Sequence, residues 1–157
     1  MEELDLKSML EKFNEGGFLK GEQIILANNG TNQTLLTLIF QVPCKVLVVS
    51  QFEEPEIILR HVELLCGGKV VCKASTTIPK DKNNTVVLAD ILDGKLGLGQ
   101  ILTRYNLACE RNLLSYGRDS NIFWRSYVIK GPEVYLEINE IFQSGPFKEI
   151  GWIGGKT

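Results

Sequence analysis

Residues 134 to 142 read VYLEINEIF, and their side chains alternate with period two, the mark of a strand buried on one face. Val134, Leu136, Ile138 and Phe142 share one face, while Tyr135, Glu137 and Asn139 share the other. Parity puts Glu140 on the apolar face. A carboxylate there is costly unless it is paired, protonated or facing a cavity. A second stretch, ILRHVELLC at 58 to 66, breaks the same rule with the opposite charge, because Arg60 shares a face with Val62, Leu64 and Cys66. Two readings are open at this point. Either Arg60 and Glu140 point into one pocket, or they are a structural ion pair or strand-end residues at a rim.

The remaining stretches say what surrounds these two strands. Apolar residues at 4, 6, 9, 10 and 13 have helical spacing, and Gly16-Gly17 ends that helix. Gly21 to Asn28 reads as a short second helix. Thr34 to Phe40 reads as a third, with Thr31 or Asn32 as its cap and Pro43 forbidding its continuation. Lys45 to Gln51, Ile57 to Cys66 and Lys69 to Thr77 read as strands. Gly67-Gly68 joins the last two as a hairpin, since both glycines tolerate positive φ. Thr85 to Leu92 and Gly97 to Tyr105 read as helices. Leu107 to Tyr116, Ile122 to Ile129 and Val134 to Phe142 then form three strands with short turns, an antiparallel meander. Helices at the start and middle with strands between them predict α+β architecture: a single antiparallel sheet of about six strands, with helices packed on one face.

The whole chain of 157 residues reads as a single domain, with no internal repeat and no boundary. Its core spans about 30 to 147, and the glycine-rich tail, 145 to 157, is expected to be flexible, with Trp152 docking on the core. Net charge is −2 and no basic run occurs, which speaks against a nucleic-acid partner. Apolar stretches fall far short of a membrane span, and the acidic N-terminus lacks the order of a signal peptide, so a cytoplasmic protein is expected. The four cysteines have no Cys-x-x-Cys spacing and His61 is the only histidine, a poor set for a metal or a Cys-His nucleophile. Neither metal nor cofactor is expected. Cys66 and Cys72 are placed to face each other across the hairpin, with small buried thiols as the expected state.

The order and spacing of four motifs resemble the chorismate lyase family, in a divergent, uncharacterised prokaryotic branch. They are Arg60 leading HVELLCGGKVVCKASTTIP, the LGLGQIL step at 96 to 102, Gly117-Arg118-Asp119 followed by Trp124-Arg125-Ser126, and Asn139-Glu140-Ile141-Phe142 with Pro146 beyond. The resemblance covers roughly residues 30 to 147 and implies a chorismate-lyase-like fold. It also implies an enzyme that removes pyruvate from chorismate to leave 4-hydroxybenzoate, with no cofactor. By position, Arg60 would bind a substrate carboxylate as a planar fork of donors. The backbone N–H of Leu98 would help, as would that of Gln33, with Gly30 as the alternative because the loop differs by an inserted residue. Glu140 would contact the ring hydroxyl and act as general base or proton shuttle.

The competing reading is a non-catalytic binding domain of the same fold, taking an aromatic carboxylate; a similar fold serves as the effector-binding domain of some bacterial regulators. Oligomeric state is left open. Among the other charged and aromatic residues, Arg111 and Arg125 are expected on solvated strand faces and His61 on the outer face or under a helix. Trp124 is expected in the core, and Arg118-Asp119 in a structural turn.

Overall fold

In a computed structural model, residues 3 to 154 are described. The chain is α+β. Three helices lead, α1 (Glu3–Glu15), α2 (Lys20–Leu26) and α3 (Asn32–Phe40), followed by strands β1 (Cys44–Glu53), β2 (Ile57–Cys66) and β3 (Lys69–Pro79). After a 3-10 turn at Lys80–Lys82 come α4 (Thr85–Asp93) and α5 (Leu98–Tyr105). Strands β4 (Glu110–Arg118), β5 (Ile122–Lys130) and β6 (Tyr135–Gln143) and a last helix, α6 (Ser144–Glu149), complete the chain. The strands form one six-stranded sheet in the order β1-β2-β3-β6-β5-β4, antiparallel throughout. Two meanders, β1 to β3 and β4 to β6, are therefore stitched together where β3 meets β6.

Local chemistry sets the turns. Gly67 and Gly68 both take positive φ in the β2–β3 hairpin, as the sequence predicts. Gly94 ends α4 in the left-handed region, and Asn84 caps its start by accepting from the Val87 N–H at 2.8 Å. Strand β4 begins and ends later than the spacing predicts, and a bulge lies between Leu113 and Ser115.

The sheet has a covered face and a bare face. Along β6, Leu136, Ile138, Glu140 and Phe142 are buried, while Glu137, Asn139 and Ile141 are exposed. Every helix contributing to the core does so on that covered face, in two groups. Phe13, Ile25, Leu36 and Phe147, from α1, α2, α3 and α6, pack with Cys72, Phe123 and Phe142 at one end of the sheet. Val87, Ile91 and Ile101, from α4 and α5, pack with Ile58, Ile78 and Leu136 at the other.

Several expectations need correction here. The segment after Gln143 is not a loose tail. Residues 144–149 are helical, Ile153 is buried, and the Trp152 indole N–H donates to the Gly21 carbonyl at 3.2 Å. Gly21 is required for that docking, since a Cβ there would fall 2.4 Å from the Trp152 carbonyl oxygen. Residues 155–157 lie outside the described residues. Trp124 belongs to neither core group. It sits on the bare face against Gly117, where a Cβ would meet the indole at 2.1 Å, because parity opposes it to the buried Phe123 and Arg125. Cys66 stands opposite Cys44 rather than Cys72, because the two-residue Gly67-Gly68 turn sets Cys66 across from Lys69 in the β2–β3 hairpin and leaves Cys72 across from Leu64. Both are buried free thiols, as is Cys72. His61 is exposed on the bare face. Asp119 closes its own turn by accepting from the Asn121 and Ile122 N–H groups, while Arg118 pairs with Glu22 at 2.8 Å. No helix among the described residues is long and apolar enough to cross a membrane.

Candidate functional site

The site begins with two small residues. Midway along β3 the covered face carries Ala74 and Thr76, between the buried Cys72 and Ile78. The two core groups fill the space beyond either end of this pair, but above it the helical layer does not reach the sheet. A cavity of about 530 Å³ remains. Cross-strand pairing arranges its floor in rows. One row runs Arg60, Thr76, Ile138, Tyr127, and the next runs Val62, Ala74, Glu140, Arg125. Arg60 and Glu140 thus stand diagonally on either side of β3, and both line the cavity.

The roof is made by the first turns of α3 and α5. Thr31 is the N-cap of α3 and Gly97 that of α5. The leading N–H groups of a helix have no partner within it, and they carry the positive end of the helix dipole. Gln33 and Leu98, both in first turns, line the cavity. Gly30 does not line it, and its N–H is already accepted by the Asn28 side chain at 3.1 Å. The Gln33 side chain is turned to the Cys44 carbonyl at 2.9 Å, leaving its backbone as the part available. Gly99 lets the two helix starts touch: a Cβ there would lie 2.6 Å from the Thr31 methyl.

Arg60 is 1% exposed. One terminal nitrogen donates to the Leu96 carbonyl, just ahead of α5, while Nε and the other terminal nitrogen have no partner among the described residues. No acidic side chain among these residues lies within ion-pair distance of it. Burial lowers its pKa accordingly. A guanidinium in this state is deprived both of water and of a counter-charge.

Glu140 is not its partner. The carboxylate accepts from Arg125 Nε at 2.6 Å on one oxygen, and from the Asn32 side-chain amide at 2.6 Å and the Tyr127 hydroxyl at 2.7 Å on the other. The expectation that Arg125 faces solvent is therefore wrong. It is 3% exposed, because the β5–β6 register puts it directly across from Glu140. Its remaining donors close the C-terminal end of α2 and the loop beyond it, reaching the carbonyls of Leu26 at 2.9 Å and Asn28 at 2.8 Å and the Asn32 side chain at 3.0 Å. Burial is the largest influence and works against the Arg125 charge, but Glu140, Tyr127 and Cys72 together outweigh it and the pKa is raised. Tyr127 is held protonated, its pKa raised by burial and then by Glu140. The chain Arg125–Glu140–Asn32 ties the start of α3 to the sheet.

Arg111, also expected in solvent, lines the cavity from β4, half-buried, 5.3 Å from the centre of the Tyr127 ring. Sequence reasoning passed over Asn32 and Tyr127 as site residues. For Tyr127 and Arg125 a signal was present: Phe123, Arg125, Tyr127 and Ile129 alternate in FWRSYVI, and a period-two reading puts all four on the apolar face. Asn32 gave none, because its role depends on a helix start meeting a strand more than a hundred residues away. Among the described residues no cluster of histidine, cysteine and carboxylate side chains could hold a metal ion.

No protein-family model matches this chain, and no curated protein matches it. Among solved structures it is similar to the ligand-binding domain of a protein assigned to the GntR family of transcriptional regulators, from Bordetella bronchiseptica. The identity is 7%, the TM-score is 0.45, and the match covers 65% of this chain and 86% of that one. A likeness at that level carries no functional information.

Proposed function

We propose that the cavity binds a small cyclic or aromatic carboxylate. Its acid group would sit on Arg60 and on the backbone N–H groups of Leu98 and Gln33. The observation that carries this reading is the state of Arg60, a guanidinium buried with two nitrogens unpartnered and no acid in reach. Burying such a charge is costly, and a planar fork of donors beside two helix starts suits a carboxylate better than any neutral group. Hydrocarbon from Val62, Leu64, Ile129 and Ile138 lines much of the same space and suits a ring.

The test is calorimetric titration of 4-hydroxybenzoate into the full chain and into its Arg60→Met variant. Saturable binding is expected in the wild type, weakened by about tenfold or more in the variant, as loss of a charge-assisted carboxylate contact implies. No binding to the wild type, or equal binding to both, would overturn the reading.

A second reading is favoured by Glu140 and Tyr127 lining the same cavity. In it the ligand is chorismate and the protein is a lyase with a chorismate-lyase-like fold. The C3–O ether breaks, the C4 hydrogen leaves as a proton, the ring becomes aromatic, and the enolpyruvyl group picks up a proton to depart as pyruvate. Most of the driving force is aromatisation, so positioning would be the main contribution asked of the protein. Glu140 is the candidate for moving the C4 proton, although three donors already occupy its oxygens. Incubation with chorismate separates the readings: 4-hydroxybenzoate and pyruvate formed beyond one equivalent support the lyase, whereas binding without product leaves the binding domain. Near wild-type turnover by Glu140→Gln would remove Glu140 from the chemistry.

A further inference from the structure

The corner where α3 runs into β1 holds a pair of thiols that the cavity does not use. Cys44 opens β1 and Cys66 closes β2, and the antiparallel register sets them directly across from one another. Both are buried and both are free. Opposed residues on antiparallel strands stand about 4.5–5.5 Å apart between Cα atoms, inside the span that a disulfide bridges. The thiols also sense each other: burial raises the pKa of both, Cys66 pushes Cys44 higher still, and Cys44 draws Cys66 part of the way back. Cys72 is the poorer partner. It lies across from Leu64, which makes it a diagonal neighbour of Cys66, about 7–8 Å away and beyond disulfide reach. Access comes from outside, where a surface hollow of about 340 Å³ between α3 and Pro43 has Cys44 in its wall.

We propose that Cys44 and Cys66 form a dithiol site for a small neutral peroxide, closing to a disulfide that locks the corner of α3, β1 and β2. One sulfur, as thiolate, attacks the peroxide: an S–O bond forms, the O–O bond breaks and hydroxide leaves. The second sulfur then displaces hydroxide from the first, and the S–S bond forms. The two thiol protons end on the two hydroxides as water, and two electrons pass from the sulfur pair to the peroxide. The new bond closes the open end of the β1–β2 hairpin into a ring. It also braces α3, because the Cys44 carbonyl accepts from the Gln33 side chain and the Cys44 N–H donates to the Thr37 hydroxyl, each at 2.9 Å. The site is independent of what the cavity binds.

The test uses the full chain carrying Cys109→Ser, which removes the exposed thiol and with it cross-links between copies. After overnight incubation with hydrogen peroxide, the thiols are read by intact mass, by a peptide map run without reductant and by thermal melts. Loss of two hydrogens, a linked Cys44–Cys66 peptide and a melting temperature raised by roughly 5–10 °C are expected, as closing a hairpin-sized loop implies. A reducing dithiol should return all three readings to their starting values. Adding Cys66→Ala should abolish both the link and the gain in stability, whereas adding Cys72→Ala should change neither. The peptide map of the parent chain needs no core substitution, so it decides the matter even where a variant folds poorly. Cys44 and Cys66 left free under conditions that oxidise Cys109 in the unsubstituted chain, a link between any other pair, or added oxygen in place of lost hydrogen would overturn the proposal.

Discussion

At the scale of single residues, Arg60 and Arg125 show how differently the same side chain is accommodated. Each is almost fully buried on the covered face. Arg125 has a carboxylate, carbonyls at the C-terminal end of α2 and an amide around it, so that its donors are met. Arg60 has a single carbonyl. Removing one member of a satisfied buried pair strands the other, whereas removing an unsatisfied buried charge relieves a cost. Arg60→Met is therefore expected to stabilise the ligand-free chain by roughly 1–3 kcal/mol even as it weakens carboxylate binding. Paired denaturant melts of the two proteins check the sign. A variant less stable than the wild type would mean that the Leu96 carbonyl contact outweighs the buried charge. Parity alone placed Arg60 and Glu140 on the apolar side of their strands. It held equally for Arg125, but an arginine in a strand is read as solvated by default, and the sequence offers no sign that a helix end will arrive to receive it.

Elements were largely legible because their punctuation is local. The hairpin glycines and the period-two strands each act within a few residues. What escaped was the arrangement of helix starts over the sheet, which depends on contacts across the fold. The meeting of α3 and α5 is the clearest case. Gly99 falls inside a helix that the sequence predicts, yet only the fold shows that its missing Cβ lets Thr31 approach. Gly99→Ala would press a methyl against the Thr31 methyl and push the two first turns apart, at a cost of about 1–3 kcal/mol shared between folding and the geometry of the roof. Weaker 4-hydroxybenzoate binding is expected, with recovery on adding Thr31→Ser, which deletes the obstructing methyl. Calorimetry on the single and double variants gives the answer, and failure of the serine to restore affinity would show that the helix starts are not what the alanine disturbs.

For the molecule as a whole, the alternating strands and the placement of helices before and between them were enough to give one antiparallel sheet with a single helical layer. The tail was misjudged because glycine-rich composition hides anchors such as Phe147 and Ile153. Stability should fall at alkaline pH. Burial pushes the Cys44 thiol from 9.0 up to about 12, with the neighbouring Cys66 adding to the effect, and it raises Cys66 and Cys72 as well. These groups are bound to their protons more tightly folded than unfolded. Their contribution is complete below the unfolded value and is lost as pH rises through the folded one, at up to about 1.4 kcal/mol per pH unit per thiol. Denaturant midpoints taken from pH 8 to 11 are expected to drop beyond pH 9, and less steeply in Cys44→Ala; a flat profile would contradict the buried-thiol account.

Two core groups that meet only across a hollow give this chain a mechanical character of its own. The space above Ala74 and Thr76 is lined from both, by Leu64 of one and by Ile129 and Ile138 of the other. An occupant there braces one group against the other and binds only the folded chain, so the melting temperature should climb with its concentration.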